Sequence, residues 1–185
     1  MRQLRQASLA LLALVLVSSA AFAQRPRARS APASQRALWE LGFDSQLSFG
    51  LDDPRVTMLR IPAANFRAGY WASDVLSIEP FFSLTHINVS GGGSASNYEI
   101  GAGGLYHFSE SRVRRQFYVR PFLTFVGSSV SGGGGSNSDV GVGVGGGVKW
   151  PKLGGRMALR GEANIETINS STAINLLFGL SFFTR

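Results

Sequence analysis

Side chains able to do chemistry are few and scattered. There are two histidines, His86 and His107, and no cysteine, which excludes disulfides, thiolate metal sites and a lipid-modified N-terminal Cys. His86 is followed by Asn88 and Ser90, with Glu99 beyond a glycine-rich break. Serine, histidine and an acid are what a hydrolase uses as nucleophile, base and orienting group. Gly141, Gly143 and Gly146 in "GVGVGGG" spell G-x-G-x-x-G, a dinucleotide cradle only if a strand leads in and a helix opens from it. A third set is ionic. Asp44, Arg67, Glu79, Arg120, Lys149, Arg160 and Glu162 sit among otherwise apolar stretches, and carboxylates accept paired hydrogen bonds from arginine. What these residues do depends on the elements that carry them.

From residue 38 onward one device repeats: stretches of alternating polarity separated by Gly, Asp, Asn, Ser and Pro, the pattern of strands and turns. Eight strands are expected, over 38–51, 57–71, 75–89, 98–108, 117–130, 140–150, 157–168 and 173–184. The last sets Ile174, Leu176, Phe178, Leu180 and Phe182 against Asn175, Gly179 and Ser181. The fifth sets Phe117, Val119, Leu123 and Phe125 against Tyr118, Arg120, Thr124 and Ser128. No stretch keeps a helical period, and "RIPAAN" interrupts the alternation of the second. Pro80 and Pro121 fall inside strands, where a missing N–H breaks a ladder, so a bulge is expected at each.

This register decides the candidates. His86 and His107 face opposite sides of the wall, so they share no metal. Glu99 faces away from His86, which leaves a Ser/His pair without its acid. Val148-Lys149-Trp150-Pro151 follows the glycine run and opens no helix, so the glycines are read as space for long side chains from facing strands. No cofactor is expected. The seven charges share one parity and similar depth, as a cluster inside a closed barrel.

Two antiparallel eight-stranded barrels fit the alternation. In a soluble ligand carrier the apolar parity points inward; in a membrane barrel it points to lipid. The polar parity is mostly Gly and Ser, with one or two charges per strand. A water-facing surface carries more charge than that, and an eight-stranded interior is just wide enough for side chains to fill it. The fold class expected is therefore an all-β, eight-stranded antiparallel up-and-down transmembrane β-barrel. Trp39, Tyr70, Trp71, Tyr106, Phe108, Phe117, Trp150 and Phe182 gather at one rim as an interfacial belt.

The first residues fit export. Arg2 and Arg5, an apolar run over 9–17 and Ala21-Phe22-Ala23 form a signal peptide over 1–23, removed after Ala23; the run is far short of the ~20 residues of a spanning helix. Residues 24–37, "QRPRARSAPASQRA", read as a basic disordered linker. The net charge of +7 is concentrated in these two segments, so with export it does not point to nucleic acid. Residues 38–185 make the barrel.

With this leader, eight alternating strands and an aromatic final strand, the chain resembles the small outer-membrane β-barrels of Gram-negative bacteria, the OmpA/OmpX type. The resemblance implies outer-membrane localisation, lipid and lipopolysaccharide as surroundings, and the outer-membrane assembly machinery as partner. In that family the last strand carries the assembly signal. Gly179, Leu180 and Phe182 match it, while Thr184 and Arg185 depart from its aromatic end. The expected function is that of a monomeric, non-enzymatic, structural or envelope-related barrel with a filled lumen. His86 near one rim loosely resembles the lipid A deacylases, which makes a lipid A-modifying enzyme one alternative. A surface-binding adhesin is the other, although the connections expected outside, "DDPRV", "SGGGSASN", "SGGGGSNSD" and "NSST", lack aromatic anchors.

Overall fold

The computed structural model describes residues 39–53, 55–89, 93–109, 115–130, 136–152 and 156–184. The expected signal peptide (1–23) and linker (24–37) lie outside the described residues. Eight strands follow in order: β1 (Trp39–Gly50), β2 (Thr57–Trp71), β3 (Leu76–Val89), β4 (Gly93–His107), β5 (Gln116–Val130), β6 (Ser136–Lys152), β7 (Met157–Ile168) and β8 (Ser171–Phe183). Each pairs antiparallel with its neighbour and β8 returns to β1, closing the sheet. Closure removes the free edges that would otherwise seek another chain.

The register sets the size of the barrel. From Gly42 the pairing steps to Arg67, Phe81, Gly101, Thr124, Gly141, Ile168 and Ser171. The β8–β1 register, which sets Ala173 opposite Gly50, carries Ser171 to position 52. The circuit thus returns ten residues further along than it began. Such a stagger tilts the strands, and with eight of them it leaves an interior for side chains rather than a wide channel.

β1 begins and β8 ends at one end of the barrel, here the terminal end; the other is the far end. At the far end β7 and β8 are joined by Asn169-Ser170 alone, with Ile168 opposite Ser171. Asn169 has a φ of 53°, and asparagine tolerates this left-handed conformation in a tight hairpin.

Strands run further than alternation indicated. β4 starts at Gly93 rather than Tyr98, and β6 at Ser136 rather than Val140. Val89 and Ser129 on the preceding strands still offer partners there, so Gly/Ser segments join the ladder without an apolar face.

The prolines correct a second expectation. Pro80 pairs with Ala102 and Pro121 with Val144 in unbroken register, with no bulge. The missing N–H is absorbed on the other side. β2–β3 pairing skips from Arg67/Phe81 to Tyr70/Ile78, and β4–β5 pairing skips from Gly103/Phe122 to Tyr106/Val119. The irregularity lies instead at "RIPAAN". β1 advances from Asp44 to Gln46 while β2 passes from Asn65 to Arg60. Above Phe66 and Phe82, β2 and β3 are not paired with each other, which leaves a seam in the far half of the wall.

The wall is apolar outside and polar inside. Leu41, Phe66, Ile78, Ile100, Leu123, Val144 and Phe178 are exposed, while Glu40, Asp44, Arg67, Glu79, Arg120, Lys149, Arg160 and Glu162 are buried. Glycines on the inner face make room for the longer side chains. A Cβ on Gly101 would strike the Phe81 ring, and one on Gly143 would meet the Phe122 ring and stand 2.8 Å from the Ile165 carbonyl.

Leu123 is half exposed on the outer face and Thr124 is buried beside it. Leu123→Arg should therefore lower stability by about 2–4 kcal/mol at a mid-membrane position, as read from urea unfolding in lipid vesicles. Thr124→Ser should stay near wild type, whereas Gly143→Ser should be destabilising. Wild-type stability for Leu123→Arg would reverse the faces of β5.

Candidate functional site

The chemistry of the described residues is concentrated in the lumen, in three layers. The central layer is ionic. Arg67 donates from Nε to Asp44 Oδ2 at 2.9 Å and from Nη1 to Glu40 Oε1 at 2.9 Å and Glu79 Oε2 at 3.3 Å. Its Nη2 donates to the Leu180 carbonyl and to Ser181 Oγ. Arg160 Nη1 reaches both Glu79 oxygens, at 2.8 and 2.7 Å, and its Nη2 donates to Glu162. Arg120 donates to Glu162 Oε1 from Nε at 3.0 Å and also from Nη2. Lys149 Nζ lies 2.6 Å from Glu40 Oε2. Tyr118 joins two branches by accepting from Arg160 Nε at 2.6 Å and donating to Glu162 Oε2 at 2.8 Å.

All seven sequence-derived charges thus lie in one connected network, and an eighth joins them. Glu40 is 1% exposed and bridges Lys149 and Arg67. Its signal was in the sequence, since it shares the parity of Asp44, but it stands at the very start of its strand. Tyr118 was read as inward-facing without a role. With Glu40 included, four cations (Arg67, Arg120, Lys149, Arg160) meet four carboxylates (Glu40, Asp44, Glu79, Glu162). These residues and Ser181 tie together every strand but β4.

Toward the terminal end an aromatic layer follows. Trp71 continues the inward parity of Arg67 and Gly69, and its ring stacks on His107 at 4.3 Å. Trp71 is therefore no member of the outer belt: β2 runs to its indole, which is buried at 4% exposure. The small Ser77 pairs with Trp71, and its Oγ lies 3.2 Å from His107 Nε2. Lys149 Nζ stands 5.5 Å from the Trp71 and Tyr118 ring centroids, and Leu105 and Gln116 complete the buried layer.

The other aromatics face outward near this end. Trp39, Tyr70, Phe108, Phe117 and Phe182 are exposed, with Trp39 and Tyr70 rings 5.2 Å apart. Tyr106 lies edge-on to Phe108, and Trp150 lies across Gly161. In β8, Leu180 and Phe182 are on the outward parity, whereas Gly179 faces inward. A Cβ on Gly179 would collide with the Asp44 carboxylate and the Phe43 carbonyl, a packing reason for glycine there.

Toward the far end the lumen holds a cavity of about 230 Å³, lined by Arg60, Ser83, Thr85, Glu99, Asn137 and Asp139 among others. Ser83, Glu99, Val126 and Asp139 are cross-strand partners in one row over β3 to β6. Arg60 Nη1 is 3.7 Å from Glu99 Oε2. Arg60 and Ser83 belong to the strands that flank the seam. Unpaired backbone at membrane depth is tolerated where it lines a polar cavity rather than lipid, and residues of both flanking strands line this one.

Outside the barrel, His86 Nδ1 lies 2.8 Å from Ser96 Oγ. The serine that reaches it is Ser96 on β4, a partner the sequence reading did not name. Glu99 turns inward to Arg60 and Thr124. His107 is buried on the opposite side of the wall.

No protein-family model and no curated protein matches the sequence. Solved structures do. Neisserial surface protein A is 18% identical, with a TM-score of 0.59 over 79% of this chain and 97% of its own. Ail of Yersinia pestis is 12% identical, with a TM-score of 0.52 over 79% and 97%. The N-terminal barrel domain of Pseudomonas aeruginosa OprF is 14% identical, with a TM-score of 0.50 over 77% and 97%. The chain has the fold of these small eight-stranded outer-membrane barrels: it is a closed, antiparallel transmembrane β-barrel.

Glu40 is the only carboxylate paired with Lys149 among the described residues, while Arg67 keeps Asp44 and Glu79 without it. Glu40→Ala should cost about 3–5 kcal/mol by leaving a dry ammonium unpaired. Glu40→Ala/Lys149→Met should be more stable than that single variant, since it removes the stranded charge. Urea midpoints in vesicles test this, and a double variant as unstable as the sum of two singles would mean the pair is not coupled.

Proposed function

We propose that the protein is a monomeric integral outer-membrane barrel with a closed lumen and a structural or envelope-related role. One observation carries this reading: ionised side chains are buried inside while large apolar side chains are exposed outside, the inverse of a water-soluble barrel. The leader read over 1–23 and the match of Gly179, Leu180 and Phe182 to the final-strand signal support export after cleavage at Ala23 and insertion by the outer-membrane assembly machinery. Lipid and lipopolysaccharide are then its surroundings.

The central network supports closure. An ion crossing the barrel would have to displace guanidinium–carboxylate and ammonium–carboxylate pairs at 2.5–3.3 Å on side chains at most 5% exposed. Catalysis on lipid A is not part of the proposal, because the His86–Ser96 pair has Glu99 turned away from it. Adhesion to a polyanion is not part of it either. One solved structure of Ail holds the heparin analogue sucrose octasulfate, whereas the far-end cavity of this chain has two carboxylates, Glu99 and Asp139, against Arg60.

The protein should fractionate with the outer membrane and change gel mobility between unheated and boiled samples; recovery from the periplasm without detergent would contradict the proposal. In planar bilayers, wild type should show only small, rare conductance, and Arg120→Ala should raise it. A steady ohmic pore in wild type would mean an open lumen. An unchanged lipid A mass spectrum on expression is expected, and loss of an acyl chain would restore the enzyme alternative.

A further inference from the structure

The far-end cavity has a chemistry that the closed centre does not use. Below it the ionic network is balanced, four charges against four, so it projects little net field upward. In the far half of the lumen the balance fails. Glu99 and Asp139 line the cavity with Arg60 as the only cation among its lining residues. Glu166 adds a third carboxylate on the inner face. It is cross-strand partner to Gly143, four residues deeper along β6 than Asp139, or about 13 Å along the strand.

Glu166 also supplies an observation independent of charge. It is 8% exposed; its Oε2 accepts from Asn175 at 3.3 Å, and its Oε1 is buried with no partner. Gln46 on β1 and Asn65 on β2, the strand that borders the seam, each have a buried amide oxygen without a partner. A buried acceptor left unmet is costly, and three in one half of the lumen ask for donors. Other lining groups, Ser83, Thr85 and Asn137 among them, are hydroxyls and amides that serve an N–H donor as acceptors.

The spacing selects among cations. Among the described residues no three acidic, histidine or cysteine side chains come close enough to hold a metal ion. Glu99 and Asp139 stand on either side of Val126, two strand spacings apart or about 10 Å, and Glu166 lies deeper than Asp139. A compact divalent ion finds no set of three such ligands there among the described residues. An extended molecule with several ammonium groups meets them together.

We propose that the far half of the lumen is a binding cup for a linear polyamine, with Glu99, Asp139 and Glu166 each taking one ammonium. The cup adds a ligand to the closed barrel and does not depend on where the barrel resides, since binding in micelles and membrane fractionation are read separately.

The test is calorimetric titration of spermidine into the full mature protein, folded in neutral detergent, with folding checked by heat-modifiable gel mobility. Saturable binding at one site is expected. Glu99→Gln and Asp139→Asn should each weaken it about three- to fivefold, the range of partly exposed ion pairs. The loop variant Asp53→Asn should leave it unchanged. Absence of saturable binding, equal binding of magnesium at the same ionic strength, or an equal loss in Asp53→Asn would each overturn the cup. If Glu99→Gln fails to fold, the Asp139→Asn and Asp53→Asn comparison decides alone.

Discussion

Eight ionised side chains share one dry interior, and the rest of the barrel is arranged around neutralising them. Removing a carboxylate or guanidinium from water costs several kcal/mol, and its partner offsets this only with good geometry and full hydrogen bonding. Arg67 meets the condition with donors spent on Asp44, Glu40, Glu79, Leu180 and Ser181. Glu162 meets it by accepting from Arg120, Arg160, Tyr118 and Asn164. Such a network adds little net stability, but it penalises other closures. A one-residue slip of any strand would turn its charges outward into lipid. The glycines follow from the same demand, because Gly103 and Gly145 leave the volume that Arg120 and Glu162 occupy.

The three layers divide the lumen unequally. The Trp71–His107 stack seals the terminal end, the ion pairs cross-tie the middle, and the far half keeps open volume. The wall mirrors this division. β2 and β3 are paired only where the lumen is full, over Phe66–Trp71 and Ser77–Phe82, and part where it is hollow. A seam there is compatible with a bilayer because a cavity with a polar lining stands behind it.

Much of this was legible in the sequence because alternation reports face directly. The strand count, the inward parity of seven charges and the outward parity of Leu123 and Phe125 needed no tertiary information. What escaped lay where alternation stops carrying information. Glu40 stands one residue into β1, too near the rim for its depth to be read. Trp71 was assigned to the belt by residue type, although its parity pointed inward. Gly93–Asn97 and Ser136–Asp139 have no apolar face, so their pairing is set by the neighbouring strands. Pro80 and Pro121 were expected to bulge, but the ladder on their other side held the register. The meeting of Glu99 with Arg60 depends on the register shift inside "RIPAAN", which no local pattern specifies.

The central claim is that the ionic layer is dry and paired. Proton exchange with water at its side chains tests this most directly, by NMR of the folded barrel in lipid. The Arg67 and Arg160 guanidinium protons and the Tyr118 hydroxyl proton should give separate, slowly exchanging resonances, while Arg60 at the cavity exchanges rapidly. Rapid exchange at Arg67 and Arg160 as well would mean that water fills the centre of the lumen, and the account of a closed barrel would fail.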